Sequence, residues 1–310
     1  MSQEAAKGES GMAAQKLLES VRILTWNING SARALDPLRK LARSLDVVTL
    51  QEVTSSQSTA IEERLADLGF GPLVYSGHPH ARTKRYGNII ASRWPVRRMA
   101  IGPTDPVLPW PQLVAHAVVE TPAGPLHVLT AHVPNGVANG WAKIDTLRAL
   151  AGWITRLRRH PLILTGDFNE PQFALQDGRI VTWGEERGRD GRYRCWDTWT
   201  FHGRTGTGKE WDEAVRWFFE MPDTSGLRNA YWEIAGHGAR TRTHVSRGEP
   251  RWFDHVFVSD HFQVQECAYR HALRTRRYSD HSPLVARLGY VPGSKGSNPS
   301  QRARRGPDRR

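Results

Sequence analysis

Cysteine is scarce: Cys195 and Cys267 are the two in 310 residues, far apart and outside any CxxC spacing. That excludes a disulfide framework and a thiolate zinc site, and it fits a reducing compartment. Long apolar runs are missing as well. No stretch approaches the roughly 18 consecutive apolar residues that a membrane helix requires. The opening residues MSQEAAKGESGMAAQKLLES lack the basic start and apolar centre of a secretory signal. The expectation is a soluble, cytoplasmic protein with no membrane partner, and no protein partner is indicated. No Pro/Gly/Ser linker divides the middle of the chain. Low-complexity composition is confined to the ends, so the expected organisation is a disordered lead (1–20), one domain (21–288) and a basic disordered tail (289–310).

Acidic residues are also in deficit, 31 against 43 Lys and Arg, for a net charge of +12. The tail carries +5 and the lead −1, which leaves +8 on residues 21–288. The folded part is therefore basic in its own right. Such a surface attracts polyanions by counterion release, and nucleic acid is the usual partner of this kind.

A weak internal duplication organises the middle. In the first copy VRILTWNING reads as a strand and LDPLRKLARSLD as a helix, with Asp36 at its N-cap, Pro37 next, and Leu38, Leu41, Ala42 and Leu45 inward. DVVTLQE returns as a strand. In the second copy GPLHVLTAH is the strand, GWAKIDTLRALAGWITRLRRH the helix and PLILTGDFN the returning strand. Further strands are RYGNIIASRWPV, PQLVAHAVVETP, RWFDHVFVSD and SDHSPLVARL. Residues 171–250 are the least periodic. There KEWDEAVRWFFEMP and GLRNAYWEIAG look helical and GEERGRDGRYR a charged loop.

Polar residues fall where the apolar strands end: Asn27 and Asn29, Glu52, His132, then Asp167 and Asn169. In sheets fed by helical connections, ligands gather outside the carboxyl ends of the strands, because the loops converge there. Taken alone, His132 at the end of LTAHVPNG reads as a core histidine. Its company changes that reading.

TWNING, DVVTLQE, GNIIASR, TAHVPNG, LTGDFN, RWFDHVFVS and SDHSPLVA stand in the order typical of the endonuclease/exonuclease/phosphatase superfamily, which the chain resembles over residues 21–288. The resemblance implies a four-layer α/β sandwich, two packed mixed β-sheets flanked by helices, with a divalent-metal site at one edge. It implies Glu52 as the main Mg²⁺ ligand with Asn27 and Asn29 nearby, Asp167 on the attacking water, and Asn169 on a phosphate oxygen. Asp254 would pair with His281, Asp280 would support the metal site, and His132 and Asn135 would face the phosphate.

The chemistry agrees. A phosphodiester is a stable anion, so its hydrolysis needs a cation against the developing charge, an oriented water, and donors around the nonbridging oxygens. Mg²⁺ takes oxygen ligands and keeps several waters, which suits a carboxylate with amide neighbours; Mn²⁺ is the alternative. Basic clusters favour a nucleic-acid substrate: Arg82, Lys84 and Arg85 before one motif, and Arg274, Arg276 and Arg277 before YSDH. Against an abasic-site specialist, the aromatic that walls the abasic pocket in the related branch appears as Arg251, and TRTH lacks another aromatic. The reading is a Mg²⁺-dependent nuclease, with DNA favoured over RNA. The alternatives are a small-molecule phosphatase or phosphodiesterase of the same superfamily, and a non-catalytic nucleic-acid binder on that scaffold.

Overall fold

The computed structural model describes residues 20–78, 86–246 and 248–291. The expected lead up to residue 19, the tail from 292, and the Arg82, Lys84 and Arg85 cluster lie outside the described residues. Twelve strands of the described chain build two sheets: β1 (Ser20–Asn27), β2 (Val47–Thr54), β3 (Leu73–Tyr75), β4 (Tyr86–Ser92), β5 (Val96–Arg98), β6 (Val114–Thr121), β7 (Gly124–His132), β8 (Leu162–Asp167), β9 (Leu227–Asn229), β10 (Asp254–Ser259), β11 (Phe262–Tyr269) and β12 (Leu284–Tyr290). Four longer helices flank them: α1 (Leu35–Ala42), α2 (Ser58–Asp67), α3 (Ala142–Leu157) and α4 (Gly208–Phe219).

One sheet runs β11-β12-β1-β2-β4-β3 and the other β9-β10-β8-β7-β6-β5. Each holds a single parallel pair, β1 with β2 and β7 with β8. A parallel pair requires a crossover, and α1 and α3 supply it, so the duplication seen in the sequence is a pair of βαβ units at the heart of two mixed sheets. Apolar packing follows in four layers. Leu24, Trp26, Val48 and Leu50 face Leu38 of α1 and Ile61 of α2, while Val128 and Leu164 of the second sheet share a core with Ile144 of α3 and Val215 of α4.

Between the sheets runs a polar seam. Thr49 and Thr165 share a hydrogen bond at 2.9 Å, and the Gln51 amide donates to Thr130 Oγ1 at 2.8 Å and to Thr25 Oγ1 at 3.1 Å. These hydrogen bonds lock the relative position of the sheets, although Gln51 Oε1 is buried without a partner.

Local differences from expectation have local causes. Helix α1 begins at Leu35, one residue before the expected Asp36 cap, because the turn Ala32–Ala34 runs straight into it. Pro37 is tolerated there since the first helical N–H groups have no partner to lose. GEERGRDGRYR is not a loop: Glu185–Arg187 pairs with Tyr193–Cys195, around the hairpin dipeptide Asp190-Gly191. In GLRNAYWEIAG the first residues pair as β9, and Asn229 then caps the helix Ala230–Ala235 by accepting from the Tyr231 and Trp232 N–H groups. Strand β12 continues to Tyr290, past the boundary expected at 288. Among the described residues no helix is long and apolar enough to cross a membrane.

Candidate active site

Register assembles the centre. In the second sheet Asp167 lies directly between His132 on the parallel side and Asp254 on the antiparallel side. Three consecutive strands thus place their polar ends side by side. Gly166 makes the bend before Asp167 possible: its φ is +135°, and a Cβ there would meet the Ala131 carbonyl oxygen at 1.9 Å.

The first sheet contributes from across the seam. Asn27 ends β1, and Glu52 sits at an irregularity in the β2–β4 pairing with φ +57°. A non-glycine residue in that conformation is costly and is held only by its surroundings. Here it turns the carboxylate toward Asn27, whose Nδ2 donates to Glu52 Oε1 and to Asp167 Oδ2, each at 2.9 Å. The Asn29 N–H donates to Asn27 Oδ1 at 2.9 Å, so it is the amide NH₂ of Asn27 that faces the carboxylates. His132 Nε2 completes the group at 3.6 Å from Glu52 Oε1 and 3.9 Å from Asp167 Oδ2. Its Nδ1 is buried without a partner.

His281 arrives from the loop before β12. Trp26 Nε1 donates to the His281 carbonyl at 3.0 Å and Ser279 Oγ donates to the Asn27 carbonyl at 2.7 Å, tying that loop to β1. From there His281 Nδ1 reaches Asp254 Oδ2 at 2.9 Å, and Nε2 lies 3.7 Å from Asp167 Oδ2. Burial opposes a charge on His281, but Asp254 and Asp167 outweigh it and hold its pKa up at about 10. Burial likewise opposes ionisation of Asp167, and His281, His132 and the Asn169 N–H outweigh it, keeping the carboxyl below the ordinary range. The centre is an ionised carboxylate facing a fixed imidazolium.

Asn169 follows with φ +51°; its N–H donates to Asp167 Oδ1 at 2.8 Å and its Nδ2 to the Val133 carbonyl at 3.0 Å. Asn135 lies at the rim, where its Oδ1 accepts from the Val137 N–H. Asp280 stands apart from Glu52, beside His244, whose Nε2 is 3.5 Å away. Burial would raise the Asp280 pKa, but His244 and His281 bring it to about 2. Arg274, Arg276 and Arg277 are not among the described residues lining the cleft, and Arg274 Nε donates to Ser282 Oγ at 3.1 Å.

Three contributors escaped the sequence reading. His244 stacks on Phe253 with centroids 5.6 Å apart and lies 4.4 Å from His281, so the histidine that ends TRTH supplies a ring at this point. Lys143 and Glu170 form a fully buried ion pair at 3.1 Å behind the Asn169 loop, and Lys143 Nζ also donates to the Asn169 carbonyl at 2.6 Å. The cleft lined by Glu52, His132, Asp167, Asn169, His244 and His281 measures about 1510 Å³, with tryptophans along one side.

The family described as Endonuclease/Exonuclease/phosphatase matches residues 24–281. No curated protein matches the sequence. Among solved structures, an AP endonuclease from Archaeoglobus fulgidus is similar at TM-score 0.60 and 19% identity, covering 86% of this chain and 98% of its own. A 3' phosphatase from Neisseria bound to product DNA hairpin follows at 0.59 and 21%, with 86% and 98% covered. An endonuclease/exonuclease/phosphatase from Beutenbergia cavernae DSM 12333 gives 0.56 and 18%, with 88% and 72% covered.

Proposed function

The chain belongs to the endonuclease/exonuclease/phosphatase family and is a metal-dependent phosphoric ester hydrolase; from that premise we propose that it is a Mg²⁺-dependent nuclease that hydrolyses phosphodiester bonds in DNA. One observation carries the reading: Asp167 Oδ2 is the meeting point of the Asn27 amide and the His132 and His281 imidazoles. An oriented base for water and charged donors for phosphate oxygens thereby share one spot.

The donor set fits a hard divalent cation. Glu52 Oε1 and Asp167 Oδ2 are drawn together by one amide, and their ligand atoms fall with His132 Nε2 within 4.8 Å of one another. Glu52 would be the principal ligand, with Asp167 beside it and Asn27 orienting both carboxylates. When bound, the cation neutralises the charge that develops on the phosphoryl oxygens. Asp167, kept ionised, accepts a hydrogen bond from the attacking water and takes its proton as the new O–P bond forms and the P–O ester bond in line with it breaks, the ester oxygen leaving as an alkoxide that takes a proton from solvent. His281, aligned by Asp254, donates from Nε2 to a nonbridging oxygen, and His132 and the Asn169 amide complete that shell. Lys143 and Glu170 position the Asn169 loop from behind.

A nucleic-acid substrate is supported by the +8 charge of residues 21–288. The cleft also points that way, since about 1510 Å³ exceeds the roughly 300–1,000 Å³ of small-molecule pockets. The test is a Mg²⁺ titration against plain duplex DNA, abasic-site duplex, single-stranded RNA and an inositol polyphosphate, with His281→Ala as the blank. Cleavage of DNA that vanishes in the blank is expected. Phosphate release from the inositol polyphosphate alone would replace this reading with a phosphatase.

A further inference from the structure

One side of the cleft is built of tryptophan. Trp183, Trp196 and Trp199 are half-buried and line it, while Trp141 and Trp211, 3% and 2% exposed, lie beneath. Trp199 rests on this floor with centroids 5.9 Å from Trp141 and 6.0 Å from Trp211. The packing admits nothing between the floor and the Asn135 loop: a Cβ on Gly136 would meet the Trp211 ring at 2.4 Å. Trp196 Nε1 donates to the Trp183 carbonyl at 2.9 Å, and Trp183 Nε1 donates to the Asn169 carbonyl at 3.1 Å. The indole wall is therefore bonded to the same loop that carries Asn169.

At the edge of this wall the Arg251 guanidinium packs over the Trp183 ring, 4.8 Å from its centroid, and Arg251 Nε is buried without a partner. The short hairpin that presents Trp196 at its exit also exposes Arg187, Arg189 and Arg192. Rigid aromatic faces with an arginine among them, and further arginines on the neighbouring hairpin, suit a nucleic-acid strand with unstacked bases. Every base offers a π-face, and the backbone follows the positive groove.

We propose that Trp183, Trp196 and Trp199, closed by Arg251, form a stacking subsite for an unpaired nucleobase adjoining the scissile phosphate. The substrate class is then a single-stranded DNA segment or a frayed end, and the inference rests on the nuclease reading above. A base inside a duplex already has stacking partners and must leave them before it gains these. A flat indole shelf reads no hydrogen-bond pattern, so the subsite is indifferent to sequence.

Trp199 is the residue to change, because its side chain holds ring contacts while Trp183 and Trp196 donate hydrogen bonds that support the loops. The measurement is kcat/KM of wild type and Trp199→Leu on three DNA oligomers of equal length: a single strand, the same strand in a duplex, and a strand of abasic spacer sugars. The wild type should prefer the base-bearing single strand over the spacer strand by roughly tenfold, within what stacking of one base is worth. Trp199→Leu should bring that ratio close to one. Both rates come from one preparation, so partial unfolding of the variant lowers them together and leaves the ratio intact. The subsite is refuted by a wild type that shows no preference, by a ratio unchanged in Trp199→Leu, or by a duplex cut as fast as the single strand. A wild type that cleaves none of the oligomers but releases phosphate from an inositol polyphosphate fails at the earlier step, the nuclease reading itself.

Discussion

Replacing Lys143 with Met isolates the group that holds the catalytic loop from behind. Lys143 and Glu170 are both 0% exposed and 3.1 Å apart. Burial presses both toward neutrality, lowering the lysine pKa and raising the glutamate pKa against the pull of their pairing. Glu170 also accepts from Trp211 Nε1 at 2.7 Å and from the Trp183 N–H at 3.3 Å, and those donors remain in the variant. A buried carboxylate with its cation removed costs about 3–5 kcal/mol, a large share of the roughly 5–15 kcal/mol by which domains are stable. With a urea slope of about 3 kcal/mol/M, the midpoint should fall by roughly 1–1.7 M. The sign of the pH dependence follows. Without Lys143, the folded Glu170 pKa stands further above its unfolded value, so the penalty is full above that folded pKa and fades as pH falls through it. Adding Glu170→Gln removes the buried charge and should restore most of the midpoint, since a neutral replacement of a whole pair is often tolerated. Urea titrations followed by tryptophan fluorescence measure all three proteins. A single variant within about 1 kcal/mol of wild type, or a double variant no better than the single, would falsify the account.

Glu52→Gln should lower metal-dependent turnover by about two to three orders of magnitude with little change in thermal midpoint; retained turnover removes Glu52 from the mechanism. His116 Nε2 and His127 Nδ1 lie 3.0 Å apart on the second sheet; burial, then His127 and Arg97, lowers the His116 pKa to about 3, and burial, then His160 and Arg97, lowers that of His127 to about 4. As both lie below 6.5, the unfolded chain takes up protons first, and stability is lost as pH falls from about 6.5 toward 4, by about 1.4 kcal/mol per pH unit for each proton. A His116→Gln/His127→Gln protein should show a shallower loss in urea titrations across that range, and an equal slope rejects the assignment. Truncation after Val291 removes the +5 of the tail while keeping β12 whole. It should weaken DNA binding at low salt and little at high salt, and binding unchanged at every ionic strength means that the tail is not a nucleic-acid arm.

What could be read in advance shares one physical property: a local signal that survives folding. The two parallel pairs follow from apolar runs around amphipathic helices, and Asn27, Glu52, His132 and Asp167 were visible because each ends such a run. The wall of the cleft had no such signal. Its strands are three residues long, as in Glu185–Arg187 and Trp199–Phe201, too short for a period of two to show. The tryptophans there read equally well as core, and two of the five are: Trp141 and Trp211 are buried, while Trp183, Trp196 and Trp199 open to the cleft. Lys143 was hidden for a different reason. A lysine in an amphipathic helix is ordinarily solvated, and nothing near it in the chain betrays Glu170, 27 residues on, as its partner. The residues legible in the sequence are thus the ones gathered around Asp167, and the illegible ones form the wall of the cleft and the buried support of the Asn169 loop. Chemistry sits where strands end and is conspicuous; selectivity sits in tertiary contacts between short segments, and only the folded chain shows it.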